Sequence, residues 1–237
     1  MLLRVPTSVS EVREYVAQGV VPIGGATLLW ASFQREGFPQ QVMSLRQVPE
    51  ATVVGPEELG SAALLSEVDE RVPAVLRRAA GTVGTGAVRR TATVGGNIVG
   101  SSLRCLLPPA LVLDARATVL DQNGVYDTDL AEVVAKRPVL LCLRWRAPLA
   151  DAYHKEPGEV GGPPPVVVAA AVHAEDGGRR LRVAVRDGYE VHTGNVACDD
   201  VDPAAVLGAL AGTGLGALSG GVRPVVREQV TGLLARL

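Results

Sequence analysis

Aromatic side chains are scarce in this sequence: two Trp, four Tyr and two Phe make up 3% of 237 residues. That scarcity removes the stacking platform on which single-stranded nucleic-acid binders rely. Lysine is nearly absent too, with Lys136 and Lys155 the two in the chain. The formal net charge is −2, so no strong field draws nucleic acid or an anionic membrane to the surface, and neither is expected as a partner. Cysteine is limited to Cys105, Cys142 and Cys198, far apart and without metal-ligand spacing. An iron–sulfur cluster usually takes four thiolates, more than this chain has. The three thiols read as buried groups of a reducing compartment. No apolar run nears the ~18 residues of a membrane span. The opening Met1–Pro6 is too short for a signal peptide. A cytoplasmic protein without a membrane segment is the expectation.

Hydrophobic residues, by contrast, make up 47% of the chain, enough to bury a sizeable core. Ser8 and Glu11 have capping-box spacing ahead of Val9, Val12 and Val16, and Gly19 sits where that helix should stop. Val20 to Ile23 reads as a strand running into Gly24-Gly25, and Ala26 to Gln34 as the next helix. Strands are expected at 41–45, 52–54, 118–120 and 139–145, and helices at 71–80 and 108–113. The stretch 155–165, with three glycines and three consecutive prolines, marks a boundary between domains at 1–155 and 156–237. Beyond it, 166–173, 180–186 and 190–196 read as an antiparallel meander. Its arginines, at 179, 180, 182 and 186, read as a solvated face. Two helices close the chain, the last with Val226, Val230, Leu233 and Leu237 on one stripe.

Two segments could carry chemistry. The first is Ile23-Gly24-Gly25-Ala26-Thr27-Leu28, a glycine turn between a strand and a helix. Glycine lets backbone amides approach an anion closely, and a helix start adds unpaired N–H groups and its positive end. The second runs from Arg89 through Thr93, Gly95, Gly96 and Asn97, where hydroxyl and amide groups flank another Gly-Gly. Thr93 and Asn97 can donate to phosphate or other ligand oxygens. Each segment alone also suits a tight turn or a β-bulge; two in one chain favour a shared polyanionic ligand. Gly81, Gly84 and Gly86 do not make a Rossmann fingerprint, because Arg89 stands where its third glycine belongs. His154, His173 and His192 are not grouped as metal ligands or as part of a hydrolase triad. No metal site is expected. His154 and Lys155 lie together in a connection that could face a ligand.

The order of these features resembles the FAD-binding subunit, or middle domain, of the molybdenum hydroxylases, the relatives of xanthine dehydrogenase and carbon monoxide dehydrogenase. Val5-Pro6-Thr7-Ser8 is similar to that family's opening helix, and residues 23–28 to its first flavin loop. Arg89 to Asn97 is the most specific match, continued by Gly100-Ser101-Ser102 and Pro108-Pro109-Ala110-Leu111. The resemblance implies an α+β chain: a PCMH-type FAD-binding fold of two subdomains, then a small three-stranded antiparallel sheet with helices. It implies that Ile23, Gly24, Gly25, Ala26, Thr27, Leu28 and Gly84 hold the pyrophosphate. Thr93, Gly95, Gly96, Asn97 and Ser102 would contact phosphate and ribityl groups, with Leu140 against the isoalloxazine and Lys155 near the ring. The implied partners are iron–sulfur and molybdopterin subunits. Thr27 and Leu106 stand where the family usually carries acidic or amide side chains, and Leu103-Arg104-Cys105-Leu106 replaces its usual Pro-Ala-Ala-Asp. The activity implied is that of an electron-transfer flavoprotein. A stand-alone FAD-dependent enzyme of specialised metabolism, or a flavin fold kept as a non-catalytic module, are the alternatives.

Overall fold

The computed structural model describes residues 1–159, 161–175, 177–199 and 202–237. They form two compact units. The first consists of Met1–Val72, Val83–Leu106 and Ala115–Trp145; the second of Pro73–Thr82, Leu107–Asp114 and Arg146–Leu237.

The first unit holds two sheets. Strands β1 (Leu2–Arg4), β2 (Val21–Pro22) and β3 (Gln41–Met43) run parallel in the order β1-β3-β2. Parallel strands of one sheet need crossovers, and helix Val9–Ala17 supplies the one that carries the chain from β1 past the place of β3 to β2. Its cap is close to the expected box: Ser8 Oγ accepts from the Glu11 amide at 3.3 Å. The Glu11 carboxylate, however, accepts from the amide of Thr7 rather than of Ser8, at 2.7 Å. Strands β4 (Glu58–Gly60), β5 (Arg116–Asp121), β6 (Gly124–Thr128) and β7 (Val139–Arg144) form an antiparallel sheet in the order β4-β7-β5-β6. Val12, Val20, Met43 and Leu45 share a core with Leu120 and Leu141.

Two elements of this unit differ from the sequence reading. Residues 52–54 are not a strand: Pro49–Thr52 is a short helix, started by Pro49 at a position where its missing N–H costs nothing. Val54 makes an isolated bridge to Leu59. The helix expected from Ala26 begins instead at Leu29, because Ala26 has φ +53° and leaves the right-handed region. Helix Leu29–Glu36 turns back through Gly37, and Phe38 packs edge-on against Trp30, with ring centroids 5.2 Å apart.

The second unit is built on strands β8 (Ala150–Lys155), β9 (Val167–Glu175), β10 (Gly178–Asp187) and β11 (Glu190–Ala197), antiparallel in the order β11-β10-β9-β8. The three expected strands are present, and β8 joins them as a fourth, paired with β9 over its whole length. One face of the sheet, with Val168, Ala170, Val172, Leu181, Val183 and Val185, packs on helices Pro203–Ala211 and Arg223–Leu234. Leu237 lies beyond that last helix and is exposed. The opposite face carries Ala169, Ala171 and His173, and is also buried. Here His173 Nε2 lies 2.8 Å from Val112 O of helix Leu107–Val112. The arginines of β10 are therefore not one solvated row: Arg182 pairs with Asp114 at 3.0 Å, and Arg186 is 1% exposed with Nη2 donating to Pro165 O. A period-two pattern reports alternation, and it cannot tell water from a second covering layer.

Candidate functional site

The two glycine segments meet in the first unit. A β-carbon on Gly24 would strike Thr93 Oγ1, and one on Gly25 would strike the main-chain carbonyl of Thr91. Glycine is thus required at both positions for one loop to lie on the other, independently of any ligand. The second segment is clamped from the other side as well. The Gly95 amide donates to Ser61 O at 2.7 Å, the Val94 amide to Ala63 O at 3.0 Å, and the Ser61 amide to Leu141 O of β7 at 2.8 Å. Thr93, buried, accepts from the Gly96 amide through Oγ1 at 3.1 Å and so starts the single π-helical turn Gly96–Gly100.

Beside these loops lies a cleft of about 130 Å³. Pro22, Ile23 and Gly24 line it at the carboxyl end of β2, and Leu45 and Arg46 beyond the end of β3. Thr93, Gly95, Gly96, Val99 and Gly100 form another wall, with Val139 and Leu140 at the start of β7. The cleft is mostly apolar, with one charged side chain, Arg46, among its described lining. Arg46 pairs with Glu67 at 3.8 Å across exposed surface, a weak tie that leaves the guanidinium available. Among the described residues, the amides of Gly24, Gly25, Ala26, Thr27 and Leu28 find no acceptor in the chain. Helix Leu29–Glu36 follows with no side-chain cap. Five successive unpaired N–H groups leading into an uncapped helix make a cradle for an anion.

Ile23, Gly24, Thr93, Gly95, Gly96 and Leu140 line the cleft, and Gly25 to Leu28 continue the loop from it. Gly84 stands on a turn with φ +50°, closed by the Arg89 guanidinium, which donates to Gly84 O at 2.9 Å. Asn97 is buried, and its Oδ1 accepts from the Leu106 amide at 2.9 Å. Leu106 is fully buried and contributes its amide, not its side chain, to this frame. Ser102 is exposed in the following segment. Lys155 belongs to the second unit, where Nζ donates to Thr82 O at 2.8 Å, and neighbouring His154 lies 2.9 Å from Glu156. Arg46, Ser61 and Val99 had no motif to mark them. The signal that could have found Arg46 is topological: ligands collect where parallel strands end at their carboxyl termini.

Fold and cleft together define a flavin-binding domain. Residues 3–141 match the family described as the FAD binding domain in molybdopterin dehydrogenase, and the chain belongs to that family. FAD is its cofactor. The fold is similar to that of CO dehydrogenase from Oligotropha carboxidovorans, with 14% identity and a TM-score of 0.72 over 100% of this chain and 96% of that one. It is similar also to quinoline 2-oxidoreductase from Pseudomonas putida 86, with 17% identity and a TM-score of 0.71, covering 100% and 94%. A third is a carbon monoxide dehydrogenase from Hydrogenophaga pseudoflava that lacks the Mo-pyranopterin moiety of its cofactor, with 15% identity and a TM-score of 0.73, covering 99% and 96%. No curated protein matches the sequence closely enough to count as a relative. Among the described residues, no helix is long and apolar enough to cross a membrane.

Proposed function

We propose that the cleft holds FAD non-covalently, with its pyrophosphate on the amides of Gly24 to Leu28 and its isoalloxazine against Leu140, and that the chain serves as the electron-transfer flavoprotein of a molybdenum-hydroxylase-like complex. The observation that carries this is the run of five unpaired amides beside an apolar wall. FAD supplies the redox chemistry when bound; the chain supplies binding, orientation and electrostatics. Thr93 holds the π-helical turn open to the ligand, Leu140 and Val99 exclude water from one side, and Arg46 adds positive charge at the rim. Electrons would arrive from an iron–sulfur subunit and leave to an external acceptor, while molybdopterin chemistry would reside on a further subunit. Two solved proteins of this fold are carbon monoxide dehydrogenases by name, one of them described by its molybdenum cofactor, and a third is a quinoline oxidoreductase, which supports the assembly. Three free, buried cysteines suit a reducing compartment, and we assign the protein to the cytoplasm.

The test is an absorbance spectrum of the purified protein with mass identification of the released cofactor. FAD lost on acid precipitation is expected. FMN, or flavin that remains with the precipitate, contradicts the binding mode. Co-expression with iron–sulfur and molybdopterin subunits should give a co-purifying complex. Turnover by the isolated chain together with failure to associate would favour a stand-alone enzyme.

A further inference from the structure

Arg46 is the one charged side chain among the described lining of the cleft, whose other walls include Ile23, Leu45, Val139 and Leu140. Its partner Glu67, at 3.8 Å, is itself anchored: Oε2 accepts from the Leu64 amide at 2.8 Å, which leaves Oε1 to face Nη2 of Arg46. Leu64 bridges to Thr93, and the Leu65 amide donates to Ala92 O at 2.9 Å. The carboxylate is thus attached to the same wall that carries Gly95 and Gly96. A separation of 3.8 Å exceeds a hydrogen bond, so Glu67 draws the guanidinium toward it without neutralising it. The pair leaves a partly compensated positive charge beside an apolar cavity. A cleft of about 130 Å³ is only a few ångströms across, so a group that fills it lies close to every wall, Leu140 and Arg46 alike. Against apolar walls a charge is screened less than in water. It discriminates only between states of a ligand that differ in their own charge. A phosphate keeps its charge through a redox cycle. A flavin ring does not: on taking up two electrons and one proton it passes from neutral to anionic.

We infer that Arg46 tunes the reduction potential of the flavin, its guanidinium favouring the reduced, anionic ring over the oxidised one, and that Glu67 moderates this effect. The inference rests on the FAD reading above, in which the ring lies against Leu140 and an iron–sulfur subunit supplies the two electrons. Arg46 transfers neither proton nor electron; it shifts the equilibrium between the two forms. A charge acting on the pyrophosphate alone would hold both forms equally and leave the potential unmoved.

The experiment uses the full chain saturated with FAD, reduced by dithionite in the presence of a reference dye whose potential is known. Arg46→Gln should move the reduction equilibrium about tenfold toward the oxidised form, about 30 mV downward for a two-electron couple. Glu67→Gln keeps an acceptor for the Leu64 amide and removes the opposing charge, so it should move the equilibrium about two- to fivefold the other way. Arg13→Gln removes one positive charge from the exposed side of helix Val9–Ala17 and should leave the potential where it was. Titration with oxidised and with reduced FAD closes the cycle: Arg46→Gln should lose about tenfold more affinity for the reduced form. An unchanged potential in Arg46→Gln, or equal losses for the two forms, overturns the inference and leaves FAD binding standing. A shift matched by Arg13→Gln also overturns it, since that would report net charge alone. A Glu67→Gln potential that stays level or falls removes Glu67 from the device. Wild type that takes up no FAD overturns the FAD reading, and the inference with it.

Discussion

Thr93 Oγ1 occupies the space that a β-carbon on Gly24 would need. The two glycine segments are therefore one packed object, and the same hydroxyl that fills the gap also holds the Gly96 amide. A coupling should be measurable. Gly24→Ala overpacks the contact and should cost about 1–3 kcal/mol. Thr93→Ala gives up a hydrogen bond worth about 1 kcal/mol. The double variant should cost less than the sum, by about 0.5–3 kcal/mol, when unfolding is followed in urea. Strict additivity would show that the loops do not touch in this way. Gly25→Ala has no such remedy, because it meets a main-chain carbonyl, and removing the Thr91 side chain should not restore it.

Asn97→Ala tests the frame behind the cleft. The buried Leu106 amide loses its acceptor, and an unsatisfied buried N–H costs about 1–3 kcal/mol. The urea midpoint should fall accordingly, and flavin retention should fall with it as the 101–106 segment loosens. Retained flavin in a destabilised variant would show that this segment does not shape the site.

Arg46→Glu separates binding from folding. The side chain is exposed and its pairing with Glu67 is weak, so stability should change by no more than about 0.5 kcal/mol. Reversal of charge at the cleft rim should weaken FAD by about tenfold, an effect that shrinks as salt is raised. Equal affinity at low salt would remove Arg46 from the site.

Asp151 gives a prediction in pH. Burial holds its carboxyl above the ordinary value of 3.8, against the amides of Val75 and Ala74 and the charge of Arg78, which pull it down. The folded chain thus binds this proton more tightly than the unfolded chain. Its contribution to stability is full below the unfolded value and declines as pH rises through the folded one. Asp151→Asn does not titrate and escapes that decline. The stability of the variant relative to wild type should therefore increase between about pH 3 and pH 7. A difference that stays flat, or moves the other way, contradicts the shift.

Several residues singled out in the sequence line one cleft in the structure. Gly24, Gly96 and Thr93 declare themselves because glycine pairs and flanking hydroxyls are rare enough to stand out, and Leu140 through the resemblance and its place on a strongly hydrophobic strand. Arg46 and Ser61 did not, since each acquires its place from strand order, which no local window encodes. Asn97 offers a donor to a ligand by its residue type, and the structure adds that its Oδ1 accepts from the Leu106 amide, nine positions on. An amide side chain advertises a capacity to bond and not its partner. Burial of Arg186 was hidden for a similar reason: the helix that covers its face lies far from it in sequence.

That separation sets a timetable for synthesis. Helices Ala74–Gly81 and Leu107–Val112 leave the ribosome long before β8 to β11, the sheet of their own unit, has been made. At about 5–20 residues per second the earlier pieces wait for several seconds with apolar faces uncovered. A fragment beginning at Arg146 would carry all four strands and lack both helices, leaving Ala169, Ala171 and the buried Arg186 open on one face. The natural place to divide this gene for expression is therefore not at the proline-rich stretch. A nick there leaves two pieces that each still need the other to complete a sheet, so they should stay together through gel filtration and part only in denaturant.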